Sequence, residues 1–330
     1  MELLQLSKPD RSLHGEIALD GSKSISNRAL IVLALAGANP ADWLTNLSTS
    51  KDTATLLRLL KQTGNNYDAG DAGTTFRFLT AYLAMQPGTQ ILTGSARMRE
   101  RPVGGLVQAL RRIGAEIEFL EKEGYPPLKI SAMDKTNPKG QATVRIDAGT
   151  SSQFLSALLM VGPYLPEGLQ LIPEGKPVSR PYLEMTLQLM RHFGAQADWQ
   201  GNTIVVEPGQ YTPRPFTVEA DWSAASYWYE MAAFADQLDL RLNGLFEDSW
   251  QGDSVVATMM QQFGIQTSFE KAPLPLGGGA GGGVVYLKKS GAPLTSLFEW
   301  DFVECPDIAQ TLAVTCAGLG VRGIFTGLET

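Results

Sequence analysis

The stretch Asp20-Gly21-Ser22-Lys23-Ser24-Ile25-Ser26-Asn27-Arg28-Ala29-Leu30 sets hydroxyl side chains and two cations behind a glycine turn, at the head of an apolar run. That composition suits an anion. Ser22 or Ser24 can cap the helix, and the unpaired N–H groups of its first turn, with the helix dipole, favour a phosphate or carboxylate there. Lys23 adds positive charge. Ser24 and Arg28, four apart, share one helix face, while Ile25, Ala29 and Leu33 line another that can be buried. A plainer reading of the same residues is a well-capped surface helix with an exposed Arg28.

Further cations and donors recur downstream: Gly73 before Arg77, the run Arg97-Met98-Arg99-Glu100-Arg101, the donors Ser151, Ser152 and Gln153, and Arg180. Arg97 and Arg99 read as a solvated charge run. Arg101 differs, because Pro102 fixes it at the mouth of a helix whose N–H groups point the same way. Two serines and a glutamine exceed what one helix cap uses. Together these residues describe a pocket for more than one anionic group, with no nucleophilic cysteine and no histidine-bearing triad. Asp307, a lone carboxylate at a later helix start, reads either as a general base or as an N-cap.

The elements that must carry these side chains form a repeat. A glycine with hydroxyls opens an apolar helix, a short strand follows (Gln90 to Thr93, then Leu169 to Ile172), and Arg-Pro starts a second helix that ends in Gly-Ala (Arg101-Pro102 to Gly114-Ala115, Arg180-Pro181 to Gly194-Ala195). Pro102 is expected at the first helical position. A further copy runs from Ala220 through a strand at Leu240 to Leu242 to a helix before Gly264, and another opens at Cys305. The opening glycines Gly73 and Gly149 stand 76 apart, and the closing glycines Gly114, Gly194 and Gly264 stand 80 and 70 apart. A near-constant period with matched internal order marks an architectural repeat whose units cannot bury their apolar faces alone. The glycine-rich stretch Pro275 to Gly283 is followed by no Gly-Lys-Ser/Thr and reads as a flexible connection.

At 330 residues, with 44% hydrophobic and 18% charged residues, the chain reads as an ordinary soluble protein of two domains. Met1 to Ile17 lacks the apolar core of a signal peptide, and the longest apolar run, Ala29 to Ala36, cannot span a bilayer. Two cysteines and two histidines form neither a disulfide framework nor a zinc pattern, so a reduced, cytoplasmic protein without metal is expected. A net charge of −7 argues against nucleic acid as partner.

The chain resembles the EPSP synthase family, the 5-enolpyruvylshikimate-3-phosphate synthases of the shikimate pathway. The residues that carry the resemblance are Gly21-Ser22-Lys23-Ser24-Ile25-Ser26-Asn27-Arg28-Ala29-Leu30, Ala72-Gly73-Thr74-Thr75-Phe76-Arg77, Leu92-Thr93-Gly94-Ser95 with Arg99-Glu100-Arg101-Pro102, Ser151-Ser152-Gln153-Phe154-Leu155 and Ser179-Arg180-Pro181-Tyr182. The resemblance implies an α/β (α+β) fold in two domains, each built from repeated βαβαββ-type units, as in an inside-out α/β barrel. The domains would be residues 15–220, with three units, and residues 1–14 plus 221–330. It implies transfer of the enolpyruvyl group of phosphoenolpyruvate to the 5-hydroxyl of shikimate 3-phosphate, releasing phosphate through a tetrahedral adduct, with no cofactor or metal. Lys23, Gly73, Arg101 and Gln153 would hold phosphoenolpyruvate. Ser24, Arg28, Ser151, Ser152, Ser179 and Tyr182 would hold shikimate 3-phosphate, with Lys23 touching both substrates. Asp307 would take the proton of the 5-hydroxyl. The partners are these small molecules, with no nucleic acid or membrane, and the expected state is a monomer.

Two departures qualify this. The segment between Gly64 and Gly73 is short, so a strand there is expected to be absent or abbreviated. The family's Lys-Glu-Thr-Asp-Arg motif is not found, and Gly327-Leu328-Glu329-Thr330 resembles its lead-in; with five units where six are expected, the second domain reads as incomplete. The rival readings are a UDP-N-acetylglucosamine enolpyruvyl transferase and a catalytically inactive fragment that only binds the phosphorylated substrate. Ser95-Ala96-Arg97-Met98-Arg99 lacks the cysteine of the former family, and Lys23-Ser24 replaces its Lys-Asn.

Overall fold

The computed structural model describes residues 10–133, 143–147, 149, 151–175, 180–271 and 283–328. Residues 20–218 form one compact unit, and residues 10–19 with 219–328 form another.

In the larger unit the helices with the least amphipathic sequences lie innermost. Helix α1 (Lys23–Leu35) is buried continuously from Ile25 to Leu33, α3 (Gly73–Ala84) from Thr75 to Ala81, and α6 (Ser152–Val161) from Phe154 to Val161. Helices apolar all round must be surrounded by other elements, and these three pack on one another. Around them lie α2 (Lys51–Leu60), α5 (Gly104–Arg112) and α7 (Arg180–His192), each burying one stripe, such as Leu106, Val107 and Leu110 on α5. The short α4 spans Ala96–Arg99. Pro102 lies just before the N-cap residue of α5, Val103, so the helix starts two residues later than its sequence suggests.

Two sheets of the larger unit share one topology. Strands β3 (Asn66–Asp68), β4 (Thr89–Thr93), β5 (Glu116–Phe119) and β6 (Leu128–Ser131) lie in the order β3-β4-β6-β5. Strands β7 (Thr143–Asp147), β8 (Leu169–Glu174), β9 (Ala197–Gln200) and β10 (Thr203–Val206) lie in the order β7-β8-β10-β9. In each, the first pair is parallel, joined through a helix, and the last two strands form an antiparallel hairpin. This is the βαβαββ unit. Alternation of buried with less buried residues along β6 and β8 shows each sheet turning one face to the helices. Strand β3 is present but three residues long, which accounts for the short segment before Gly73. A two-stranded parallel pair joins β2 (Leu44–Thr45) to β11 (Phe216–Thr217).

The smaller unit repeats the topology with a distant first strand. Strands β1 (Ser12–Ala18), β12 (Gln237–Asn243), β13 (Ile265–Lys271) and β14 (Gly283–Lys289) lie in the order β1-β12-β14-β13, and β1 runs parallel to β12. Helix α8 (Trp222–Phe234) packs beside this sheet, and Trp222, Tyr229, Leu240, Phe263, Ile265 and Leu287 fill the core. The helix expected before Gly264 is a string of turns: a 3-10 turn Gly252–Val255, one α turn α9 (Val256–Met259) and a 3-10 turn Met260–Phe263. Adjacent Val255, Val256 and nearby Thr258 lower helix propensity, while Val256, Met259, Met260 and Phe263 still reach the core at helical spacing. Strand β15 (Leu297–Asp301), α10 (Ala309–Leu319) and β16 (Arg322–Thr326) form a parallel βαβ. Among the described residues no helix is long and apolar enough to cross a membrane, and both cysteines, Cys305 and Cys316, are buried thiols. The stretch expected to connect flexibly, apart from Gly283, lies outside the described residues.

Candidate anion-binding site

Ser22, not Ser24, caps α1, its Oγ accepting from Ile25 N at 3.5 Å. Gly21 precedes it because the chain at Asn46 passes too close for a Cβ: one would stand 3.0 Å from the Asn46 carbonyl carbon and 3.1 Å from Ser48 N. Asp20 Oδ2 pins that loop by accepting from Thr49 N and Thr49 Oγ1 at 2.7 and 2.8 Å. Lys23 opens the helix and is exposed; Ser24, next to it, is half-buried.

Arg28 is not the exposed arginine of the plainer reading. It is 2% exposed and uses all three of its nitrogens: Nε donates to Thr186 Oγ1 at 2.7 Å, Nη1 to Ser24 O at 2.9 Å, and Nη2 to Ser156 Oγ at 3.0 Å. Its guanidinium carbon lies 5.4 Å from the Phe78 ring centroid and 5.7 Å from that of Tyr182. Burial pulls its pKa down to about 10, which leaves it charged at neutral pH. Ser156 and Thr186 escaped the sequence reading. Their signal is a hydroxyl inside the otherwise apolar faces of α6 and α7, where a buried polar group requires a partner.

A second cluster surrounds the start of α3. A Cβ on Gly73 would collide with Arg101 Nη1, and would stand 2.7 Å from Arg77 Nη1 and 2.8 Å from Arg101 Cζ. Glycine at this point leaves the room that the two guanidinium groups occupy. Arg77 is 6% exposed, and its guanidinium carbon lies 5.5 Å from the Phe154 ring centroid. Burial, then the charge of Arg101, lower its pKa to about 10. Beside Phe154, Gln153 is half-buried, with an amide oxygen that has no hydrogen-bond partner among the described residues. Ser151 caps α6, its Oγ accepting from Gln153 N at 3.3 Å, and Ser152 follows half-buried.

The first turns of α1, α3, α6 and α7 thus carry Lys23, Ser24, Gly73, Ser152, Gln153 and Tyr182, with Arg28, Arg77 and Arg101 among them. Helix N-termini and guanidinium groups in this arrangement can hold phosphate or carboxylate. Other cations are spent on the fold's surface. Arg99 pairs with Glu121 at 3.0 Å and Arg180 with Glu184 at 3.4 Å, the latter packing over Trp199. Ser179 lies outside the described residues.

In the smaller unit Asp307 is exposed, within a 3-10 turn Pro306–Ile308 that leads into α10. Neither that turn nor α10 has a side-chain bond at its N-cap residue, Cys305 and Ile308 respectively. A second aspartate, Asp253, is buried. Desolvation pushes its pKa up to about 7, a hydrogen bond from Ser223 opposes this, and the charges of Asp307 and Asp221 add to it. Asp221 caps α8 through Ala224 N at 3.1 Å. Buried Glu219 accepts from Trp222 Nε1, Phe246 N, Ser249 Oγ and Gln251 Nε2 at 2.7 to 2.9 Å, yet burial still raises its pKa. Among the described residues no group of three or more His, Cys, Asp or Glu side chains is placed to hold a metal ion.

Helix-cored βαβαββ repeats with cations near helix starts define a repeat-built α/β protein with a candidate anion site. The chain belongs to the EPSP synthase (3-phosphoshikimate 1-carboxyvinyltransferase) family, whose model matches residues 7–68 and 63–317. It is 45% identical over 326 residues to a 3-phosphoshikimate 1-carboxyvinyltransferase of Bacteroides fragilis, covering 98% of this chain and 75% of the relative. A protein of the same name from Sulfurovum sp. is 37% identical over 337 residues, covering 93% of this chain and 74% of that one. The fold is similar to that of an EPSP synthase from Acinetobacter baumannii, with TM-score 0.74 at 20% identity, covering 93% of this chain and 72% of that structure. The chain thus spans about three quarters of the length of these relatives.

Proposed function

We propose that the chain serves the reaction named by its relatives, moving the enolpyruvyl group of phosphoenolpyruvate to the 5-hydroxyl of shikimate 3-phosphate. The acceptor oxygen adds to C2 of the enol as a proton goes to C3; the tetrahedral adduct then loses a C3 proton and expels phosphate. Both substrates are multiply anionic, and charge shifts between oxygens as the adduct forms and collapses. Cations fixed before the reaction begins stabilise those shifts without reorganising.

The observation that carries this reading is the cluster of Gly73, Arg77 and Arg101, where two guanidinium groups meet with no carboxylate paired to either among the described residues. Lys23, Gly73, Arg101 and Gln153 hold phosphoenolpyruvate in this reading. Ser24, Arg28, Ser151, Ser152, Ser179 and Tyr182 hold shikimate 3-phosphate, and Asp307 is the base for the 5-hydroxyl proton. The relatives' names favour phosphorylated shikimate over a UDP-sugar as acceptor. A monomer acting in the cytoplasm without metal completes the reading.

Calorimetric titration of the protein with shikimate 3-phosphate, then with phosphoenolpyruvate, tests it. Saturable binding of shikimate 3-phosphate, weakened in Lys23→Ala, is expected. Binding of UDP-N-acetylglucosamine in its place would overturn the reading.

A further inference from the structure

Arg77 has no part in the substrate set above, yet folding alone gives no reason for its state. Both Nε and Nη1 are buried and have no hydrogen-bond partner among the described residues. A buried guanidinium with unmatched donors is costly unless a counter-charge compensates it. The charged group that acts on Arg77 most is a like charge, Arg101, and both side chains crowd the space over Gly73. Phe154 packs against the guanidinium and holds it in place. The adjacent Gln153 also has an unmatched buried amide atom, and because an amide can be turned over, that position offers a donor or an acceptor. Arg28 makes the contrast within the same unit: also buried, it has every nitrogen matched by an oxygen of the fold.

We propose that Arg77 is a further binding residue of the anion site at Gly73 and Arg101, supplying a second guanidinium to the carboxylate or phosphate group held there. Without a ligand the two arginines repel each other. A bound anion turns that repulsion into two attractions, so the site binds more tightly than one guanidinium would allow. The depressed pKa of Arg77 accords with this, since a nearby anion restores the charged form that burial and Arg101 disfavour. The inference rests on the proposed function, which names phosphoenolpyruvate as the anion.

The test combines phosphoenolpyruvate titration, with and without shikimate 3-phosphate, with the melting temperature of the ligand-free protein, for wild type, Arg77→Met, Arg77→Lys and Arg101→Gln. Arg77→Met is expected to weaken phosphoenolpyruvate binding by about tenfold to a hundredfold. Its ligand-free melting temperature should be unchanged or higher, because an unmatched charge has been removed. Arg77→Lys should recover part of the affinity. A merely structural Arg77 gives the opposite pair of results, a lowered melting temperature with unaltered affinity, and that overturns the proposal. If Arg77→Met does not fold, Arg77→Lys decides: wild-type affinity with a lowered melting temperature again overturns it. Binding weakened in Arg101→Gln but not in Arg77→Met removes this inference alone. Absence of phosphoenolpyruvate binding in the wild type under both conditions removes the proposed function together with it.

Discussion

Arg28 Nε donates to Thr186 Oγ1 at 2.7 Å across 158 residues of sequence, tying α1 to α7 inside the larger unit. The guanidinium fixes the hydroxyl protons around it. Arg28 donates to both Thr186 and Ser156, so Thr186 is left to donate to Tyr182 O at 2.7 Å, and Ser156 to Thr186 at 2.9 Å. Three helices are locked by one cation.

Arg28 therefore fills and bridges the helices of the larger unit, whereas Lys23 is exposed at the start of α1. Arg28→Ala leaves a cavity and unmatched hydroxyls, and is expected to cost about 2–4 kcal/mol in urea denaturation. Arg28→Met keeps the volume and removes a buried charge, so its stability should stay within about 1 kcal/mol of wild type while shikimate 3-phosphate binding is lost. Exposed Lys23→Ala should change stability by no more than about 0.5 kcal/mol, yet weaken substrate binding by about tenfold to a hundredfold. Equal losses of stability in Arg28→Met and Arg28→Ala would show that the charge, not the volume, holds the three helices.

Gly73→Ala places a methyl group where the ends of two arginine side chains now lie. The end of Arg101, the less buried of the two, can swing away, and alanine suits a first helical turn better than glycine. The melting temperature should hold or rise slightly, while phosphoenolpyruvate affinity falls by roughly tenfold as Arg101 is displaced. Unchanged affinity in calorimetry would mean that Arg101 acts from elsewhere.

Asp307→Asn separates the base from the cap. Asp307 is exposed and asparagine caps as well as aspartate, so the substitution should leave stability within about 0.5 kcal/mol. Loss of a general base should lower phosphate release by about 10²–10⁴-fold in a polypeptide that turns over. Equal turnover of mutant and parent would dismiss the base.

Asp253 gives a pH dependence with a definite sign. Its pKa is about 7 in the fold, against 3.8 ordinarily, so between those values the native state holds a proton that the unfolded state has released. Stability is fully present below about pH 4 and falls as pH rises through 7. Glu219, also raised, acts in the same direction. Asp253→Asn should flatten the slope between pH 4.5 and 8 and be more stable than wild type at pH 8, as read from urea midpoints. A parallel pair of curves would remove Asp253 as the source.

The sequence by itself determined the repeat and the places where anions could be held. Glycines at a period of 70 to 80, hydroxyls before apolar helices and Arg-Pro pairs are local signals, because capping and turn geometry depend on residues a few positions apart. The same local logic misplaced the start of α5 at Pro102 and read one helix before Gly264, where the backbone changes from 3-10 to α and back. Only the tertiary structure decided which buried cations the fold matches with acceptors and which it leaves unmatched. Arg28 and Arg77 occupy matching second turns of α1 and α3 and look alike in sequence. Ser156 and Thr186, brought from distant helices, match the nitrogens of Arg28, whereas Phe154 and Arg101 surround Arg77 and leave two of its nitrogens without acceptors. The pairing of a buried charge depends on groups far away along the chain, and no local pattern encodes it.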